Sequence, residues 1–141
     1  MDKAAQQALQ ACERHHRDLA HELAEIGFIA SGSVALRSNR CGKTYCACHG
    51  DPARLHGPYW LFTAKVNGKT VNKRLTESEA RRYNEWIAND RKARALLSQM
   101  RAVASEAQAL LLASEAAGPG SDAKSTASSP ENDRRPSRPQ R

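Results

Sequence analysis

Hydrophobic positions along the chain keep two different periods. From residue 3 to residue 26 they recur in alternating steps of four and three, at Ala5, Leu9, Cys12, His16, Leu19, Leu23 and Ile26. Charged side chains such as Glu13, Arg17, Asp18 and Glu25 fall off that line. Residues three and four apart share one helix face, so the spacing predicts a helix with a coiled-coil-like seam. Cys12 lies on the seam and reads as a small core residue. Gly27 is placed to end the helix as its C′ residue. His15, His16 and His21 have no i, i+4 spacing among them, so they read as core or surface histidines and not as a helical metal site.

The period then drops to two. Val34 and Leu36 fall on one face of a short strand, with Ala35, Arg37 and Asn39 on the other, after a break at Gly32-Ser33. A second β-rich run, Tyr59 to Val66, meets Asn67-Gly68, the strongest short hairpin signal, and returns as Lys69 to Leu75. A two-residue turn pairs Val66 with Lys69, Ala64 with Val71, Phe62 with Lys73 and Trp60 with Leu75. One face of this hairpin is then mostly apolar, with Lys69 and Lys73 snorkelling out at its edge. The other face carries Tyr59, Leu61, Thr63, Lys65, Thr70, Asn72 and Arg74, and Arg37 of the first strand can join it.

Helical period resumes at Thr76. Thr76-Glu77-Ser78-Glu79 is a capping box, and no proline or glycine follows before Gly118. A helix over 77–115 is roughly 58 Å long. Its seam reads Tyr83, Trp86, Asp90, Ala93, Leu97, Met100, Ala104, Ala107 and Leu111, widened by Leu96, Val103 and Leu110. This helix outruns the first by about 15 residues at 3.6 residues per turn. An unpaired end of that length predicts a homodimer through the helices. Residues 117–141 are Ala, Gly, Ser, Pro and charge without period, a disordered tail. The organisation is therefore an N-terminal helix (1–27), a knuckle and hairpin unit (28–76), a long helix (77–116) and a tail. The fold class is α+β, with a three-stranded antiparallel β-unit inserted between two long helices.

Composition narrows this further. The chain has 141 residues and only 5% aromatics, so its core is small and gains from a metal, disulfides or a partner. It has no apolar run of membrane-spanning length and no signal-type apolar segment near Met1, which points to the cytoplasm and away from a membrane. In that compartment clustered cysteines are more often metal ligands than disulfides. The net charge is +7, and residues 37–74 hold eight basic side chains against one acidic. Excess charge gathered in one zone implies a polyanionic partner, nucleic acid first and DNA before RNA.

Three of the four cysteines lie in that zone. Cys41-x4-Cys46-x-Cys48-x7-His56 supplies three thiolates and an imidazole, a set that Zn²⁺ accepts in a closed structural site. His49 is the alternate fourth ligand. Gly42, Gly50 and Asp51-Pro52 supply the turns. Free structural or redox thiols are the competing reading. An iron–sulfur cluster normally takes four cysteines, and Cys12 is remote. Asp51 is the only acid between residues 26 and 76, so a carboxylate-assisted catalytic site is not indicated and no enzyme is expected. The expected nucleic-acid contacts are Arg37, Lys43, Lys65, Asn72, Lys73 and Arg74, which pair phosphate-seeking cations with an amide that can read a base edge.

Cys41-Gly42-Lys43 with Cys46-x-Cys48, followed by Leu55-His56-Gly57-Pro58-Tyr59-Trp60-Leu61 and Asn67-Gly68-Lys69, resembles a family of small uncharacterised bacterial proteins often encoded beside transposases and integrases. The resemblance covers about residues 22–112. It implies an accessory role in a mobile element and supplies no reaction. Two functions follow as expectations: a nucleic-acid-binding accessory or regulatory protein with a structural zinc, or a protein-interaction module whose helices dock a transposase or recombinase.

Overall fold

The computed structural model describes residues 1–118. Helix α1 (Lys3–Ala24) is followed by strands β1 (Ser33–Asn39), β2 (His56–Val66) and β3 (Lys69–Leu75), then by helix α2 (Glu77–Ala116). This is an α+β fold, in which a three-stranded antiparallel sheet of order β1-β2-β3 sits between two helices. The tail expected from residue 117 lies, from residue 119 on, outside the described residues.

Local chemistry sets each boundary. Asp2 caps α1 by accepting a hydrogen bond from the Ala5 amide at 2.7 Å. Gly27 does not end this helix as expected. The last turn tightens, with the Glu25 and Ile26 amides donating to the Glu22 and Leu23 carbonyls, and Glu25 is the C-cap. Thr76 and Glu79 form the capping box that opens α2. The hairpin has the expected register, with Val66 opposite Lys69, Ala64 opposite Val71, Phe62 opposite Lys73 and Trp60 opposite Leu75. Asn67 (φ 51°) and Gly68 (φ 78°) supply the two left-handed residues that a type I′ turn requires.

The two helices pack against each other within the chain. Cys12, Leu19, Leu96 and Val103 form the buried cluster, and Leu23, Ile26, Met100, Ala107 and Leu110 pack around it. The pairing is antiparallel: Cys12 meets Val103, while the chain leaving α1 reaches Asn89, whose side-chain amide donates to the Phe28 carbonyl at 2.9 Å. Every seam position expected for α1 is at least half-buried.

The seam of α2 differs from the expectation by one residue at alternate positions. Ala93, Met100 and Ala107 face inward as expected, but Leu96 (4% exposed) and Val103 (8%) take the core places, while Leu97 (38%) and Leu111 (44%) face out. Alternating 3-4 and 4-3 seams share every other residue. With leucines at both 96 and 97, and at both 110 and 111, periodicity alone cannot choose between them.

The extra length of α2 lies at its N-terminal end, and the sheet covers it. Tyr83 packs on Phe62 with ring centroids 4.3 Å apart and meets Trp86 edge-on at 5.0 Å. Ala80, Ile87 and Leu75 are buried at this junction. The Ala30 amide donates to the Trp86 carbonyl at 3.1 Å, and Arg94 donates to Ser31 at 2.7 Å. These bonds tie the link from α1 to β1 along α2. The unpaired helix end that motivated a homodimer is therefore occupied within the chain.

Candidate metal centre

The loop from β1 to β2 leaves the sheet at Asn39 and re-enters it at His56, and those two residues face each other across the strands. The loop's ends are thus held together before any ligand is placed. Between them a chain of backbone hydrogen bonds builds the knuckle. The Cys46 amide donates to the Lys43 carbonyl at 3.0 Å, the His49 amide to the Cys46 carbonyl at 3.0 Å, and both the Gly50 and Arg54 amides to the Ala47 carbonyl at 3.0 Å. Residues Ala47–His49 form one 3₁₀ turn. This winding turns Cys41, Cys46 and Cys48 toward one point, and the first residue of β2 brings in His56.

The four ligand atoms all lie within 4.8 Å of one another. The Cys41 and Cys48 sulfurs are 3.6 Å apart, and the Cys46 sulfur is 3.4 Å from His56 Nε2. All four cysteines are free thiols. Cys48 is fully buried, while Cys41, Cys46 and His56 are half-buried. The arrangement fits a single four-coordinate ion, held by three sulfurs and one nitrogen.

The surroundings already favour the ligand form of one sulfur. The Cys48 backbone amide, and then the Cys48 and Cys41 thiols, bring the Cys46 pKa down from 9.0 to about 6. Burial pushes the Cys48 thiol the other way. The Cys41 amide donates to the Cys48 sulfur at 3.4 Å, a bond that would stabilise a thiolate there.

His49, the alternate ligand, is engaged elsewhere. Its Nε2 lies 2.6 Å from the Cys41 carbonyl oxygen. It braces the backbone of Cys41 instead of joining the four-atom cluster, a role common around metal sites. Cys12 is buried between the helices, away from the cluster.

The expected nucleic-acid contacts divide between two faces. Arg37 pairs with Tyr59, Leu61 with Arg74, Thr63 with Asn72 and Lys65 with Thr70, so Arg37, Lys65, Asn72 and Arg74 share the face turned away from α2. Thr63 donates to the Asn72 side-chain oxygen at 2.9 Å. Lys73 is on the opposite face, with its ammonium 5.6 Å from the centre of the Tyr83 ring. Its position opposite Phe62 already assigns it there. Lys43 is exposed in the knuckle, and its carbonyl accepts the Cys46 amide.

One member of the open face was not among the expected contacts. The Arg74 guanidinium carbon lies 3.4 Å from the centre of the Tyr59 ring. The signal was present in the register, because Tyr59 is the diagonal neighbour of Arg74 when Leu61 is its direct partner.

These features define a cysteine-histidine knuckle set on the end of an antiparallel sheet. The chain belongs to DUF6788, a family described as a domain of unknown function, whose model matches residues 9–84. The matched span contains all four ligands, the whole sheet and Tyr83. No curated protein and no solved structure matches the chain. No helix among the described residues is long and apolar enough to cross a membrane.

Proposed function

We propose that this protein binds nucleic acid as an accessory or regulatory factor, and that a structural zinc ion holds its β-unit in shape. The observation that carries the proposal is the placement of charge. Residues 37–74 hold the formal excess of +7, and Arg37, Lys65 and Arg74 are exposed together on the sheet face that α2 leaves open. Cations fixed on a rigid sheet suit phosphate contact, and the Asn72 amide among them suits a base edge.

Zinc is the metal of choice for three sulfurs and an imidazole. Bonds of about 2.3 Å to sulfur and about 2.0 Å to nitrogen in a tetrahedron set sulfur–sulfur edges near 3.8 Å and sulfur–nitrogen edges near 3.5 Å. The separations of 3.6 and 3.4 Å in the knuckle are close to both. Four protein ligands leave no open position, so the ion's role is to fold the loop. The motif's resemblance to proteins encoded beside transposases and integrases supports a role in a mobile element.

The test is fluorescence anisotropy with random-sequence DNA, offered both as duplex and as single strand, over a salt series. Binding should weaken steeply with salt. Changing Arg37, Lys65 and Arg74 together to alanine should lower the slope of log K against log salt by about 2–3, if each contacts one phosphate. Failure of folded, metal-loaded protein to bind either form at low salt would sink the proposal.

A second reading rests on the groove between the helices. It has a volume of about 580 Å³ and is lined by Cys12, His16, Val103, Ala104, Ala107 and Leu111, among others. An apolar groove of this kind suits a partner helix, from a second copy or from a transposase or recombinase. Light scattering on the pure protein tests the first, and co-purification with a transposase or recombinase and no nucleic acid tests the second.

A further inference from the structure

We infer that the ligand of the open sheet face is an unpaired nucleic-acid strand, and that the stacked Tyr59–Arg74 pair is the platform on which one of its bases rests. The inference depends on the nucleic-acid reading above and specifies its substrate.

Three observations lead to it. The first is the shape of the face. Three strands spaced about 4.8 Å apart span roughly 10 Å between outer axes before side chains are added. The major groove of a duplex is about 12 Å wide and admits a helix or a two-stranded ribbon, so three strands with their side chains fit it tightly. The helices do not compensate, because residues 1–36 carry three basic and five acidic side chains and residues 75–117 carry six of each.

The second is what lies along the middle of the face. Tyr59 and Leu61 on the central strand are half-buried. A duplex presents its charged backbones to a flat surface, and an apolar midline offers them nothing. Bases turned out of an open strand present flat, weakly polar faces that such a midline can cover.

The third is the pair itself. The Arg74 guanidinium carbon sits over the Tyr59 ring, 3.4 Å from its centre, which is stacking distance. A guanidinium held on an aromatic ring keeps its outer plane free for a base and its N–H edges free for phosphate. Farther along β2, an open cavity of about 360 Å³ is lined by Ser33, Thr63, Ala64, Lys65 and Thr70, among others. Its hydroxyls and one ammonium suit a sugar-phosphate unit. From Tyr59 to Lys65 the strand runs about 20 Å at 3.3 Å per residue, enough for a few nucleotides.

The experiment compares a random-sequence single strand with a duplex of the same length, using the metal-loaded full chain. The single strand should bind at least about tenfold tighter, in line with stacking energies per base. Two variants address the platform. Tyr59→Leu removes the ring and Arg74→Lys keeps the charge while losing the plane. Each should weaken single-strand binding about fivefold to tenfold, with metal content and melting temperature unchanged. Tyr59→Leu should also leave the salt slope unchanged, because stacking releases no counterions. A strand carrying 2-aminopurine should change its fluorescence on binding to the native protein and not to Tyr59→Leu. Equal or tighter duplex binding overturns the inference and leaves the nucleic-acid reading standing. Preference for the single strand with both variants unaffected overturns the platform. Binding of neither form defeats the underlying reading instead.

Discussion

The Phe62 and Tyr83 rings face each other across the boundary between sheet and helix, with centroids 4.3 Å apart and planes tilted by 31°. This contact joins the β-unit to α2. Phe62→Ala should therefore destabilise the whole chain by about 2–4 kcal/mol, from lost burial and ring packing. Chemical denaturation checks it. Retention of metal with a lowered melting temperature would separate this joint from the knuckle.

Metal removal should have a different signature. A strong chelator should extract one ion per chain, loosening the loop between β1 and β2 while α1 and α2 stay paired. Circular dichroism and metal analysis report the two events. His56→Ala and Cys46→Ser should each abolish stoichiometric binding. His49→Ala should keep the ion, with affinity weakened about tenfold, because His49 only braces the Cys41 carbonyl. Loss of the ion in His49→Ala with retention in His56→Ala would reverse the ligand assignment.

The knuckle cysteines also set a pH dependence in the metal-free protein. The folded Cys46 thiol has a pKa of about 6 against an ordinary 9.0. Such a group stabilises the fold fully above the unfolded value and loses that contribution as pH falls through about 6. Cys48 is shifted upward by burial, so its contribution is present below 9.0 and is lost as pH rises past it. Metal-free stability should thus climb between pH 6 and 9 and turn down above. Cys46→Ser should flatten the rising limb. In alkylation at neutral pH, read by mass spectrometry, Cys46 should react first. Cys12, whose pKa is raised by burial and by Glu106, should react late.

The two candidate seams of α2 make opposite demands on neighbouring leucines. Leu96→Ala should cost about 2–4 kcal/mol, and Leu97→Ala under about 1 kcal/mol. Reversed effects would mean that the helices pack in the other register, and equal effects that a partner covers Leu97.

Gly32 marks a close approach of chain to chain. A side chain there would place its Cβ 2.6 Å from the Thr63 carbonyl oxygen and 2.6 Å from the Phe62 ring, with φ at 156°. Gly32→Ala should destabilise by about 1–3 kcal/mol. At Gly68 a Cβ meets open space, so Gly68→Ala should cost only the left-handed backbone, about 1–2 kcal/mol.

What the sequence made legible follows from how local each cause is. The hairpin register came from two residues, Asn67 and Gly68, whose turn type fixes every pair on either side. The capping box placed the start of α2 for the same reason. The Cys41, Cys46, Cys48 and His56 set was legible because soft ligands stood within one loop. Choosing His56 over His49 depends on the Asn39–His56 pairing across the strands, which closes that loop. Other features needed the third dimension. Whether Leu96 or Leu97 faces α1 depends on the rotation of α2, which Tyr83 and Trp86 set through the sheet. The same contact decided where the extra length of α2 goes. The placement of Lys73 was readable from its pairing with Phe62, which sets it on the face toward α2.

The antiparallel pairing of α1 with the far half of α2 has a consequence for the order in which the chain is made. The β-unit closes over short separations, and its ligands span only residues 41 to 56. Cys12 must wait for Val103. At a synthesis rate of about 5–20 residues per second, that wait is on the order of 5–20 s. During it the apolar stripe of α1 leaves the ribosome with its partner helix not yet synthesised. α1 is thus made well before the helix that buries it, and the β-unit, whose contacts are nearer in sequence, can close while α1 is still uncovered.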